Sequence, residues 1–335
     1  MIKNSIKFAN INDTDDIIKF ISNYWKKNHI LGKNKELFLY YYQDKNRVNF
    51  VISRDELGKI NGILGFIKSA SVNSDIWAAM WKTIENNSTP MLGVELLEYL
   101  RSSNEYNILL SSGITDKTIG IYKYLGIYTD YLRQFVLIND RMKNYKIAKI
   151  SDKKYLNKIQ FTKSNGYVLK VLTRDEIVFN FEKHKGQIPY KDKGYFIKRY
   201  FKHPVYKYKI YGIIKNNKTL SLVVVRLISE NGSKILRVID FFGHEKYLQF
   251  ITHDLYKILV KSKLEYIDFM CFGFDYELLL KAGFYKVDLN NPNLIIPNYF
   301  FPFAMKNTKI NFYVDSCSID SVRICKGDGD QDRPQ

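Results

Sequence analysis

Residues 75–139 read DIWAAMWKTIENNSTPMLGVELLEYLRSSNEYNILLSSGITDKTIGIYKYLGIYTDYLRQFVLIN, and the order of elements in this stretch decides the fold. Apolar runs and breakers predict a strand, a short loop, a helix, a strand, a helix and a final strand. The loop is Asn86-Asn87-Ser88-Thr89-Pro90-Met91-Leu92-Gly93, and an apolar helical pattern begins after it at Val94, Leu96, Leu97 and Leu100. A loop running into a helix presents unpaired backbone N–H groups and the positive end of the helix dipole, which suits a phosphate or pyrophosphate. A second marker, Ile121-Tyr122-Lys123-Tyr124-Leu125-Gly126-Ile127, is a helix end with a tyrosine just before a Leu-Gly stop.

Upstream, residues 4–9 alternate as a strand, and Asn12-Asp13-Thr14 supplies cap chemistry for an amphipathic helix from Asp16 to Lys26. A second helix is predicted over Lys35 to Tyr42. Strands at Asn49–Arg54 and Ile60–Ser69 flank the turn Asp55-Glu56-Leu57-Gly58 as a hairpin. Residues 140–205 are less regular, with helical pieces at Lys153–Ile159, Phe179–Lys185 and Tyr195–Phe201. The second half then repeats the grammar of the first: strands at Tyr206–Ile214, Leu220–Ser229 and Lys234–Phe242, a long helix at Tyr247–Ser262, and a strand at Tyr266–Phe272. A helix at Asp275–Ala282 stops at Gly283, and Phe284–Val287 and Asn311–Val314 extend that sheet. The charged link RMKNYK sets the expected boundary, giving domains 1–145 and 146–335.

With 335 residues and 46% apolar content, two cores are affordable. A net charge of +18 favours anionic partners: a nucleotide, coenzyme A, a tRNA or a membrane surface. The same charge also fits a lysine-rich composition with no such role. Three cysteines, without a CxxC or a His/Cys cluster, point to a reducing cytoplasm and to no structural zinc. The start MIKNSIKFANINDTDD has no apolar core, and no run approaches the length of a membrane span, so neither a signal peptide nor a transmembrane helix is expected.

Asp240 stands inside an apolar strand, where a carboxylate is costly unless paired. Arg226 and Arg237, on neighbouring strands of a hairpin, are its expected partners, forming either a structural ion-pair network or a polar floor for sugar hydroxyls or a diphosphate. Arg199 and His203 belong to the same expected floor. Asp328, Asp330 and Asp332 alternate like cation ligands, but no glutamate follows at the spacing of a calcium loop, so no metal is expected. Tyr40-Tyr41-Tyr42 and Tyr299-Phe300-Phe301 read as core packing.

The strand–loop–helix–strand–helix–strand order, with Tyr-x-x-Leu-Gly before the last strand, resembles the GNAT family of acyl-CoA-dependent N-acyltransferases. That family's pyrophosphate loop reads Gln/Arg-x-x-Gly-x-Gly/Ala. Here Pro90-Met91-Leu92-Gly93-Val94-Glu95 occupies it, keeping the first glycine and placing Glu95 where a small residue is usual. The second half has no such glycine loop. Segments 195–206, 235–240 and 326–334, with Trp25–Leu31, look like those of tandem GNAT proteins from bacterial surface-polysaccharide clusters, which are thought to acylate nucleotide-linked amino sugars.

The resemblance implies two GNAT-like α/β domains, each a mixed, mostly antiparallel sheet flanked by helices. The first would bind acyl-CoA through Trp81, Lys82, Thr83, Met91, Leu92, Gly93 and Val94, with backbone N–H groups near Trp81–Thr83 on the thioester carbonyl. Tyr122 would protonate the leaving thiolate, and His29 or Asp240 would serve as base. The degenerate second domain would bind the acceptor, a dTDP- or UDP-linked amino sugar, with Arg199, His203, Arg226 and Arg237. Two other readings stand beside this one. A Fem-type enzyme would use aminoacyl-tRNA on a cell-wall precursor, and the positive charge would serve the tRNA backbone. A degenerate tandem would bind a polysaccharide or protein without catalysis.

Overall fold

The fold is described from a computed structural model, over residues 5–72, 74–84, 90–156, 161–316 and 318–334. Residues 86–89 of the expected phosphate loop, 157–159 of an expected helical piece, and Cys317 lie outside the described residues. The chain divides into two compact units, one of Met1–Tyr128, Tyr313–Ser316 and Gly329–Gln335, the other of Thr129–Phe312 and Cys317–Asp328.

In the first unit, Ser5–Asn10 (β1), Arg47–Arg54 (β2), Ile60–Lys68 (β3) and Ile76–Thr83 (β4) pair antiparallel in that order, and β4 runs parallel to Leu109–Ile114 (β5). Strand alternation sends Phe50 and Ile52 to one face of the sheet and Val51 to the other. The first face is covered by Thr14–Phe20 (α1) and Lys35–Tyr42 (α2), through Ile17, Phe20, Leu37, Phe38 and Tyr42. The caps differ from the expected Asn12-Asp13-Thr14: the chain turns into α1, which starts at Thr14, through a short turn at Ile11–Asp13. Asn10 and Asp13 form a capping box ahead of α1, and the Leu37 N–H donates to Asn34 Oδ1 at 2.9 Å ahead of α2. The predicted first helix is shorter than expected, because α1 gives way at Ile21 to a wider turn that ends at Trp25.

Leu92–Arg101 (α3) and Asp116–Tyr124 (α4) follow on the other face. Leu96, Leu97 and Leu100 recur at helical spacing and are 0–1% exposed, packed on Val51, Leu64 and Phe66. Each such leucine contributes at most about 1.5–3 kcal/mol. The strand Asn311–Asp315, expected to extend the second sheet, belongs to the first instead. Its Tyr313 packs in the same core, and its Asp315 takes the Arg101 guanidinium at 2.7 Å.

The second unit is built on Arg133–Ile138 (β6), Val168–Leu172 (β7), Lys209–Lys215 (β8), Lys218–Glu230 (β9), Ser233–Gly243 (β10) and Tyr266–Phe272 (β11). The order is β7-β8-β9-β10-β11-β6, antiparallel except for β10 with β11. The hairpin turns match the sequence. Asn216 and Asn217 lie at φ 49° and 59°, Asn231 and Gly232 at 51° and 71°, the left-handed pair that a two-residue hairpin requires. Strand β6, read from sequence as the last of the first half, instead pairs with β11, with Ile267 facing Leu137 and Phe269 facing Phe135. Both its faces are buried: Phe135 and Leu137 enter one core, Val136 and Ile138 another. A strand buried on both sides carries no alternation that would tie it to its sequence neighbours. Thr252–Lys261 (α5) and Tyr276–Lys281 (α6) cover one face through Leu255, Leu259 and Leu279.

Candidate functional site

The first unit's sheet opens between β4 and β5. The parallel ladder runs through Ile76↔Leu109 and Trp77↔Leu110, and one residue further on the Ser111 hydroxyl donates to the Ala78 carbonyl at 2.9 Å. Beyond that point Ala79, Met80 and Trp81 on one side and Ser112, Gly113, Ile114 and Thr115 on the other form the walls of a wedge. Its shape follows from two backbone irregularities. Against β3, Ile63 faces Lys82 and Gly65 faces Ala79, so β4 carries an extra residue there. Met80, within the bulge, sits at φ 56°, a conformation that costs a non-glycine residue about 1 kcal/mol and re-aims the strand. On the other side Gly113 lies at φ 84°. The wedge opens to solvent and has a cavity volume of about 190 Å³.

Tyr122, from α4, lines this wedge and is buried, with its ring 5.9 Å from Trp81 and 4.4 Å from Tyr313. Burial holds its hydroxyl well above the ordinary phenol range, partly opposed by a hydrogen bond with Thr118, so the group keeps its proton throughout the neutral range. Ser112 and Tyr313 also line the wedge, and their buried hydroxyls have no hydrogen-bond partner among the described residues. Buried polar atoms of this kind are satisfied in most proteins.

Trp81 links the wedge to the start of α3: its indole N–H donates to the Gly93 carbonyl at 3.0 Å, and a Cβ on Gly93 would meet the indole at 3.4 Å. Leu92 is buried in the core, whereas Met91 is exposed and caps the helix with no side-chain bond. The first-turn N–H groups of Leu92, Gly93 and Val94 therefore mark the positive end of a ten-residue helix next to the wedge. Lys82 and Thr83 continue β4 as half-buried residues, and Glu95 is exposed on the first turn.

His29 is buried in the first unit but is not on the wedge wall. Its Nδ1 accepts the Leu31 N–H at 3.2 Å, so the ring proton sits on Nε2 and no lone pair is left to take another. Burial, then the charges of Arg333 and Lys26, pull its pKa down to about 4. Asp240 lies in the second unit, fully buried in β10. The expected partners, Arg226 and Arg237, are not the ones it uses. Lys191 Nζ reaches it at 2.6 Å and the Tyr200 hydroxyl donates at 2.7 Å, while Arg237 bonds Asp268 at 2.7 Å and the Asn298 carbonyl at 2.9 Å. The reason is strand geometry: Asp240 faces Val224 across the hairpin, and Arg237 lies opposite Asp268 of β11.

Lys191 also reaches Asp328 at 2.7 Å, so one buried ammonium serves two buried carboxylates. Burial pushes the Asp328 pKa up to about 6, opposed by Lys191. Ligand atoms of Asp240, Cys325 and Asp328 gather within 4.8 Å, and the Lys191 ammonium supplies the positive charge there. Arg199 donates to the Gly327 carbonyl at 3.2 Å and faces the Tyr200 and Tyr208 rings. His203 accepts the Tyr206 N–H at 2.8 Å and stacks on that ring, over which Arg226 lies at 4.1 Å.

Among the wall residues that sequence reading did not assign to the site are Asp330, Gln331 and Arg333. Of the alternating aspartates of that segment, Asp328 pairs with Lys191 and Asp330 with Arg333, the latter at 2.6 Å. Lys191 carries no sequence signal at all, being one lysine of many.

No protein-family model matches the chain, and no curated protein matches it in sequence. Solved structures do match its fold. A GCN5-related N-acetyltransferase from Anabaena variabilis aligns at a TM-score of 0.59 and 10% identity, over 93% of this chain and 72% of that one. A probable N-acyltransferase from Enterococcus faecalis aligns at 0.55 and 6% identity, over 92% and 72%. A GCN5-related N-acetyltransferase from Kribbella flavida aligns at 0.50 and 9%, over 93% and 71%. The chain thus has a GNAT-type fold, in two mostly antiparallel sheets flanked by helices. Among the described residues no helix is long and apolar enough to cross a membrane.

Proposed function

We propose that the protein is an N-acyltransferase that moves an acyl group from acyl-CoA to the amine of a nucleotide-linked (dTDP or UDP) amino sugar, the first unit carrying acyl-CoA and the second the acceptor. The observation that supports this reading is the wedge itself: strands that part at a bulge, a protonated tyrosine on the wall, and a helix N-terminus beside it linked by Trp81. The diphosphate of coenzyme A lies at the first turn of α3, and the pantetheine arm runs into the wedge toward Tyr122. Backbone N–H groups of the bulged strand stabilise charge on the thioester oxygen, and Tyr122 protonates the departing sulfur. Proximity of amine and thioester supplies much of the rate. The acceptor class rests on the resemblance of segments 195–206, 235–240 and 326–334, and on the net charge of +18 toward an anionic nucleotide.

Thermal-shift measurements with acetyl-CoA, dTDP- and UDP-linked amino sugars, and total tRNA test the reading, followed by thiol release from acetyl-CoA in the presence of each sugar. Stabilisation by acetyl-CoA and by one nucleotide sugar is expected. Stabilisation by tRNA alone would replace this function by aminoacyl-tRNA-dependent transfer, and binding without thiol release would leave a non-catalytic protein.

A further inference from the structure

We propose that Asp330 takes the proton from the acceptor amine, held for that task by Gln331 and Arg333; the inference rests on the acyl-transfer reading above. An amine is protonated near neutral pH and has no lone pair to attack with until a nearby group removes that proton. Among the described residues on the wedge wall, Asp330 carries the carboxylate, and none is a histidine.

The segment 329–334 is fastened into the first unit by contacts that fix this carboxylate. Arg333 Nη1 lies 2.6 Å from Asp330 Oδ2 and 3.3 Å from the sulfur of Met80, the bulged residue. Gln331 Nε2 donates to the Ser112 carbonyl at 2.9 Å, on the opposite wall. Gly113 is shaped for that contact, since a Cβ there would come within 2.1 Å of the Gln331 amide. Gly329 rests on Trp77, with a Cβ at that position 3.4 Å from the indole. One oxygen of Asp330 takes Arg333, and among the described residues the other meets only the long 3.3 Å contact from Gln331, leaving lone pairs for a proton. The carboxylate is 11% exposed, so a proton received there can pass on to water.

The step balances as follows. The ammonium gives one proton to Asp330, and the freed nitrogen pair forms the N–C bond at the thioester carbonyl as the C–S bond breaks. The second proton leaving nitrogen replaces the one Tyr122 delivers to sulfur, and the proton on Asp330 is released to solvent. The products are an amide, a free thiol and one proton.

The test is thiol release from acetyl-CoA with the best acceptor among the dTDP- and UDP-linked amino sugars, across pH 6–9, for wild type, Asp330→Asn and Asp330→Glu. The wild type is expected to show a plateau in kcat through neutral pH. Asp330→Asn is expected to lose about 100-fold in kcat at pH 7, and to climb about tenfold per pH unit, because only amine already deprotonated in water reacts. Its thermal shift with acetyl-CoA stays as in wild type. Asp330→Glu keeps the plateau at reduced kcat. An Asp330→Asn protein with wild-type kcat and plateau overturns the role of Asp330 alone. Should Asp330→Asn fail to fold, loss of the plateau in a folded Asp330→Glu overturns it. Wild type releasing no thiol with any acceptor sinks the acyl-transfer reading, and this role with it.

Discussion

Tyr122 was legible from the sequence because Tyr-x-x-Leu-Gly is a local signal: a helix end, a left-handed glycine at φ 74°, and a side chain one turn back that must face the sheet. Its place on the wedge wall makes a clean test possible. Tyr122→Phe keeps the buried ring and removes the proton, so thiol release is expected to fall about 100-fold, while the acetyl-CoA thermal shift persists; an unchanged rate would take Tyr122 out of the acid role. His29 was legible only as a residue. Its burial among positive charges makes it a stability element with a defined pH window. The folded pKa of about 4 lies below the ordinary 6.5, so between these values the unfolded chain binds the extra proton. The contribution is therefore fully present above pH 6.5 and lost as pH falls toward 4. Urea unfolding at pH 7.5 and 4.5 is expected to show that His29→Gln loses about 2–3 kcal/mol less than wild type over that interval.

At the scale of elements, helices and hairpin turns followed from local chemistry. Asn34 caps the start of α2, and Asn231-Gly232 forms the tight turn between β9 and β10. The bulge of β4 carries no such mark: no glycine or proline stands at Met80, and the strand is held in that form by pairing with β3 on one side and by the segment around Arg333 on the other. Sheet membership of Arg133–Ile138 and Asn311–Asp315 was equally hidden, because their partners lie far away along the chain. The same applies to β5, whose bend at Gly113 packs on Gln331, a residue bonded to Ser112 across 219 positions. Gly113→Ala would force a side chain into positive φ and against the Gln331 amide, and a loss of about 1–3 kcal/mol in chemical denaturation is expected. A variant as stable as wild type would show that the segment can move aside at no cost.

For the whole molecule, the largest electrostatic commitment is the ammonium of Lys191 between Asp240 and Asp328, all fully buried. It ties the stretch around Lys191 to strand β10 and to the turn before Gly329. Lys191→Ala would leave two carboxylates without their cation in a dry interior, and a destabilisation of about 3–5 kcal/mol is expected by denaturant titration; a loss below about 1 kcal/mol would mean that water or a bound cation replaces it. No composition or spacing signals this network, since each member looks ordinary until distant strands converge. The first unit carries a consequence of a different kind, which concerns synthesis. Its bonds from Arg101 to Asp315, Ser112 to Gln331 and Met80 to Arg333 span 214, 219 and 253 positions of chain. On a ribosome working at about 5–20 residues per second, that unit emerges first, yet its sheet and wedge stay incomplete for roughly ten seconds or more, until the later sequence arrives. A fragment cut at Tyr128 would expose the core edge beside Tyr122 with nothing to cover it. The half of the protein translated first thus waits on the last residues to be made.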